Sequence, residues 1–413
     1  MNNENLYEIF ITKIKKLEEE YIWHHYSSFQ LDKDKEIKQI MNSININKNN
    51  NNINKELILK EKESILSKLH KLSLTNGGFI SIENRKKVYK YILDTLCQKI
   101  NYNVPELIYD FEGINSFDQI ISNDCNRSVL YQIINKNENF KKEFEQNDKC
   151  VEYIINQLKI FTKKSLSNYI IFHYYQGYQE ICLYFYIIFG MEEGIIYMNK
   201  FTKIFLEYIC QEKSKINFEL LLDVLNECCN KINKSTNEAL NKITKTKPYY
   251  SLSWLLTYLT HDNKNLFNQM RVLDYLITCN ISSVYFFSAN IIVNEFNDLK
   301  KNFTLNEEEE FFYMEQILVH FQKLQLGEIE YEKIIEQTEL INQYSAFNNI
   351  IQDIYNNCKN DTDKNFIKPL TKIIYHDISI LPSNMKKLSK KEIIIIISLI
   401  ILIVSIGYLN NKN

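Results

Sequence analysis

The chain has 413 residues, with 49 lysines and arginines against 51 aspartates and glutamates, so its formal charge is only −2. That balance speaks against a basic field acting on nucleic acid. A hydrophobic content of 45% suffices for a large core, while only 8 glycines and 4 prolines argue against a turn-rich all-β fold and favour long helices.

In chain order, residues 2–31 carry Leu6, Ile9, Phe10, Ile14 and Leu17 at helical spacing. The pair His24 and His25 that follows Trp23 has no metal-site character, because adjacent residues do not share a helix face. Residues 32–62 are rich in asparagine and lysine and are expected to be disordered, since they hold too little apolar surface to fold alone. From residue 65 onward the pattern becomes that of a folded body. Asn76-Gly77-Gly78-Phe79 reads as a turn, and Ser81 as the N-cap of a helix whose apolar stripe includes Val88, Tyr91 and Ile92.

Further helices are expected over residues 118–134, 148–163, 220–243, 252–259, 266–278 and 283–296, with no window of strand alternation. Residues 65–300 therefore read as one all-α domain. The more polar residues 301–388, with acidic Glu307 to Glu310, are expected to add two or three helices and a linker.

Residues 393–409 contain five consecutive isoleucines and no charge, preceded by Lys386, Lys387, Lys390 and Lys391. This pattern predicts a transmembrane tail anchor with everything upstream in the cytoplasm. The polar residues 1–20 are unlike a signal peptide. The 9 cysteines are scattered without a CxxC spacing, so neither zinc nor a redox dithiol is expected.

Two stretches carry candidate chemistry. In Ile121-Ser122-Asn123-Asp124-Cys125-Asn126-Arg127, the residues Ile121, Asp124 and Arg127 fall on one side of a helix. Ile121 anchors that side, and Asp124 orients the Arg127 guanidinium through an i, i+3 pair. In residues 168–190 a polar turn, Tyr174-Tyr175-Gln176-Gly177, separates two apolar runs. Gly177 lets the chain turn or approach another surface closely, presenting Gln176 outward at the start of a buried helix. Gln176 does not titrate, so it is suited to position a water molecule and is a poor base. By themselves the residues leave Tyr175 either a partner contact or a packing residue. They leave Arg85 either a buried structural pair or a phosphate contact.

The order IxxDxxR, then Tyr175-Gln176-Gly177, resembles the TBC-type Rab GTPase-activating proteins. Gly77-Gly78-Phe79 with Arg85 and Tyr89, Ser253-Trp254-Leu255-Leu256, and Arg271-Val272-Leu273-Asp274 resemble further blocks of that family. The apolar C-terminus resembles its branch anchored in the endoplasmic reticulum. The resemblance implies a multi-helix TBC domain that lends Arg127 as an arginine finger and Gln176 as a glutamine finger to a Rab-family GTPase. Asp124, Tyr175, Gly177 and Arg85 would be supporting or partner-binding residues. GTP and magnesium would be held by the partner, leaving this chain without a cofactor or metal of its own. The implied place of work is the membrane of the endoplasmic reticulum and early secretory pathway. A TBC fold that grips a Rab without accelerating hydrolysis, or a membrane tether, is the alternative. Sequence departures are Tyr89 where the family has tryptophan, Cys125 where an aliphatic residue is usual, and Gln179-Glu180 after the turn.

Overall fold

The computed structural model describes residues 3–25, 29–47, 55–104, 117–127, 130, 134, 138–144, 148–166, 173–212, 216–261, 265–301, 310–324, 330–341 and 343–375. All regular structure among them is helical. The helices are α1 (Asn3–His25), α2 (Phe29–Asn47), α3 (Lys55–Leu74), α4 (Ile82–Lys99), α5 (Asp118–Asn126), α6 (Glu138–Phe144), α7 (Asp148–Leu166), α8 (Tyr178–Phe189) and α9 (Met191–Phe201). They continue as α10 (Phe218–Thr244), α11 (Leu252–Thr257), α12 (Leu266–Leu276), α13 (Ser282–Lys300), α14 (Glu310–Lys323), α15 (Tyr331–Glu339), α16 (Gln343–Asn357) and α17 (Asp361–Tyr375).

The hub is α8, in which every residue is buried. Its apolar side chains each contribute about 1.5–3 kcal/mol of transfer free energy. It packs against α4, α7, α9 and α11. Helix α10 pairs with α13, and its course breaks at Asn233, where φ is −153° and ψ is 96°. There the Asn233 side chain accepts from the Thr236 N–H at 3.0 Å, capping the second half of the helix. Ser81 caps α4 as its position predicts, accepting from the Asn84 N–H at 3.3 Å.

Three expectations need correction. Disorder was expected over residues 32–62, but 32–47 belong to α2 and 55–62 to α3. Ile37 is fully buried, and the buried Lys33 donates to the carbonyls of Thr75 at 3.2 Å and Asn76 at 3.0 Å. Long-range partners thus supply what local composition lacks; residues 48–54 lie outside the described residues. Among its described residues the C-terminal segment contributes four helices, not two or three, and they complete the core: α14 and α16 cover α10, while α15 and α16 cover α13. The helix expected over residues 118–134 ends at Asn126, with Arg127 as its C-cap. Among the described residues no helix is long and apolar enough to cross a membrane. The predicted anchor at 393–409 lies outside the described residues, as do the side chains of Trp23, His24 and His25.

Candidate functional site: an arginine and a glutamine on one groove

Helix α5 delivers Arg127. Ile121 is fully buried and fixes the helix to the core, while Arg127 sits just past the last turn with its side chain 71% exposed. Its Nη2 donates to Asp124 Oδ1 at 3.0 Å, and its Nε lies 3.4 Å from the Asn123 carbonyl. A cation at a helix C-terminus is also favoured by the helix dipole. The i, i+3 spacing is therefore realised. The carboxylate that holds the guanidinium is itself buried, while the arginine side chain is largely exposed.

The turn before α8 delivers Gln176. Gly177 has φ of +107°, and a Cβ there would meet Thr257 Cγ2 at 2.6 Å. Both reasons for glycine apply: a left-handed backbone and close approach to α11. Tyr175 ties the turn to the same helix by donating its hydroxyl to the Leu256 carbonyl at 2.7 Å. With Tyr175 and Gly177 buried and pinned, Gln176 between them is left exposed.

Sequence reasoning missed what joins the two segments. The Tyr174 hydroxyl donates to the free oxygen of Asp124, Oδ2, at 2.8 Å, and lies 2.6 Å from Gln179 Oε1. Gln179 Oε1 in turn accepts the Gly177 N–H at 3.0 Å. A chain of polar contacts therefore runs from Arg127 through Asp124, Tyr174 and Gln179 to the backbone beside Gln176. Burial, reinforced by the Asp124 hydrogen bond, pushes the Tyr174 phenol well above its ordinary range, so it remains a donor. The only sequence signal for this was Gln179 in the first turn of α8, where a side chain can satisfy an unpaired N–H.

Both segments border one groove of about 950 Å³, lined among others by Ile120, Arg127, Tyr174, Gln176, Leu256 and His261. Ile120 is 49% exposed on its rim, a large apolar side chain left for something else to cover. At its floor the buried Glu180 carboxylate lies 3.6 Å from His261 Nδ1 and accepts from Gln179 Nε2 at 3.2 Å.

Arg85 does not border this groove. It is buried, with Nε and Nη2 on the Asp274 carboxylate and Nη1 on Glu18 Oε1 at 3.0 Å. Tyr89 and the Phe79 N–H also donate to Asp274, at 2.8 and 2.9 Å. A Cβ on Gly78, at φ +54°, would collide with Asp274 Oδ2 at 2.4 Å. The separate blocks around Gly77 and Arg271 are thus two halves of one buried ion cluster, and a phosphate or partner role for Arg85 gives way to a structural one. Arg271 is likewise buried and donates Nε to Glu332 of α15 at 2.8 Å. The Trp254 side chain is buried in the core.

The described residues, all of whose regular structure is helical, bring the arginine of one motif and the glutamine of the other to one groove, and the chain is similar in sequence to two TBC-domain proteins. The protein named TBC1 domain family member 20 from Bos taurus is 22% identical over 237 residues, covering 57% of this chain and 55% of that protein. Its counterpart from Homo sapiens is 22% identical over 227 residues, covering 54% and 52%. The chain thus spans about half the length of the curated relatives it matches. No family model matches it.

Proposed function

We propose that this chain accelerates GTP hydrolysis on a Rab-family small GTPase by inserting Arg127 and Gln176 into the partner's nucleotide site. The observation that carries this reading is that both side chains are exposed on one groove while the groups that position them are buried. In the reaction, negative charge builds on the transferred phosphoryl oxygens. An arginine supplied in trans neutralises it and is worth about 10³–10⁵ in rate. One carboxylate oxygen grips Nη2 and the Asn123 carbonyl takes Nε, so Nη1 remains to reach a phosphate. Gln176 orients the attacking water through its amide, taking no proton. The rim with Ile120 and Leu256 offers apolar surface for the GTPase to bury. GTP and magnesium belong to the partner, and this chain contributes neither.

The apolar, uncharged residues 393–409 further lead us to propose attachment to the membrane of the endoplasmic reticulum or early secretory pathway, where Rab substrates are also membrane-bound. The test is single-turnover GTP hydrolysis by a panel of Rab proteins with wild-type chain, Arg127→Ala and Gln176→Ala. The expected result is stimulation of at least one Rab, lost by orders of magnitude in each variant. Binding of a Rab without any stimulation would reduce the chain to a binding module.

A further inference from the structure

Remote from the groove lining, three side chains with ligand and nucleophile chemistry meet: His70 on α3, Cys279 in the turn after α12, and Glu339 at the end of α15. Their donor atoms lie within 4.8 Å of one another. His70 Nδ1 is 3.8 Å from Cys279 Sγ and 3.0 Å from Thr278 Oγ1. His70 Nε2 is 3.3 Å from Glu339 Oε2, and Tyr275 donates to the other Glu339 oxygen at 2.7 Å.

The two ring nitrogens therefore serve different partners. A single metal ion takes one imidazole nitrogen, so this order is poorly suited to chelation. It is suited to a relay in which a carboxylate orients an imidazole and the imidazole holds the proton of a thiol. The charge balance agrees. Burial by itself lowers the His70 pKa, but the Cys279 thiol and the Glu339 carboxylate outweigh it and push it up to about 10. Burial disfavours ionisation of the Glu339 carboxyl, yet the hydrogen bonds from His70 and Tyr275 hold it below the ordinary range.

Burial pushes the Cys97 and Cys125 thiols up to about 12 and raises those of Cys150, Cys182, Cys210, Cys228, Cys229 and Cys358 as well. A thiol paired with a cationic imidazole is the reactive kind, and a thiol buried among apolar groups is inert. Cys279 is 7% exposed, and Glu339 beside it borders an open groove of about 870 Å³ with Leu74, Asn76 and Leu340. Neither Cys279 nor His70 lines that groove, so a small reactant reaches the sulfur and a bulky one does not.

We propose that Cys279 is a modification site: a thiol beside the His70 imidazole, itself oriented by Glu339, that hydrogen peroxide converts to a sulfenic acid. As His70 takes the thiol proton, the sulfur attacks one peroxide oxygen, an S–O bond forms and the O–O bond breaks. Sulfur is oxidised and peroxide is reduced. The departing hydroxide takes the imidazolium proton and leaves as water.

The test is competitive alkylation of the full chain with limiting iodoacetamide, each cysteine being read by peptide mass spectrometry. Cys279 is expected to react roughly tenfold faster than Cys358, although Cys358 is the more exposed thiol. Brief peroxide treatment followed by dimedone is expected to label Cys279 first. His70→Gln should remove the advantage and Glu339→Gln should reduce it, with circular dichroism confirming the helical fold of each. Faster labelling of Cys358 than of Cys279 in the native chain would overturn the proposal without recourse to a variant. So would a Cys279 rate that changes on treatment with a chelator, which would mark a metal-held thiolate.

Discussion

Arg85 and Arg127 are both paired with buried carboxylates, yet the structure uses them in opposite ways. Arg85 is 3% exposed and surrounded: Asp274, Glu18 and the Ile80 carbonyl occupy all three of its nitrogens. Arg127 is held on one edge by one carboxylate oxygen, and its side chain is 71% exposed. A saturated guanidinium has no donor left for a ligand, and removing it strands buried carboxylates. A guanidinium gripped on one edge is oriented and still available. The second is the condition a residue must meet to act on another molecule, and it cannot be recognised from the presence of a neighbouring aspartate alone.

This contrast yields a series of expected outcomes. The largest effect is on activity: Arg127→Ala should cut stimulated GTP hydrolysis by about 10³–10⁵. The same change strips one partner from buried Asp124, so equilibrium urea unfolding should show a loss of about 1–3 kcal/mol. Arg85→Met should reverse that pattern. It leaves Asp274 and Glu18 buried without their cation, so equilibrium urea unfolding should show a loss of about 3–5 kcal/mol. An Arg85 variant that keeps its stability but loses stimulation would break the comparison.

Tyr174→Phe sharpens it. The change strips one partner from buried Asp124 and should cost about 1–3 kcal/mol in the same unfolding assay. Stimulation should drop by about tenfold, equivalent to ~1.4 kcal/mol of transition-state stabilisation, because Arg127 is less firmly aimed. No drop in stimulation would show that Asp124 alone suffices.

The smallest effect concerns pH. The folded pKa of His70 lies near 10, above its ordinary value, so the folded state binds the proton more tightly than the unfolded chain. Its stabilising contribution is complete below about pH 6.5 and is lost as pH rises through 10. Urea titrations between pH 6 and pH 10 should therefore show wild-type stability falling relative to His70→Gln. A constant difference would mean that the pair does not titrate as described.

Several parts of this molecule were legible from residue order because they are set within a few residues of one another. The helical periodicity of α1, the Ser81 cap, the Asp124–Arg127 pair and the need for glycine at position 177 all belong here. The groove itself was legible only through the resemblance, since nothing local says that α5 and the turn before α8 face the same side. The expected disorder of residues 32–47 failed for the same reason: Lys33 finds its carbonyls at Thr75 and Asn76, on another helix end.

Composition and periodicity by themselves determined that this chain is helical and where its two polar motifs interrupt apolar runs, because those signals depend on spacing along a single helix. Which arginine is buried and which is presented was decided only in three dimensions. Asp274 comes to Arg85 across 189 positions, and Tyr174 comes to Asp124 across 50. Burial of a charge is permitted only where distant partners converge to satisfy it, and that convergence is a property of packing.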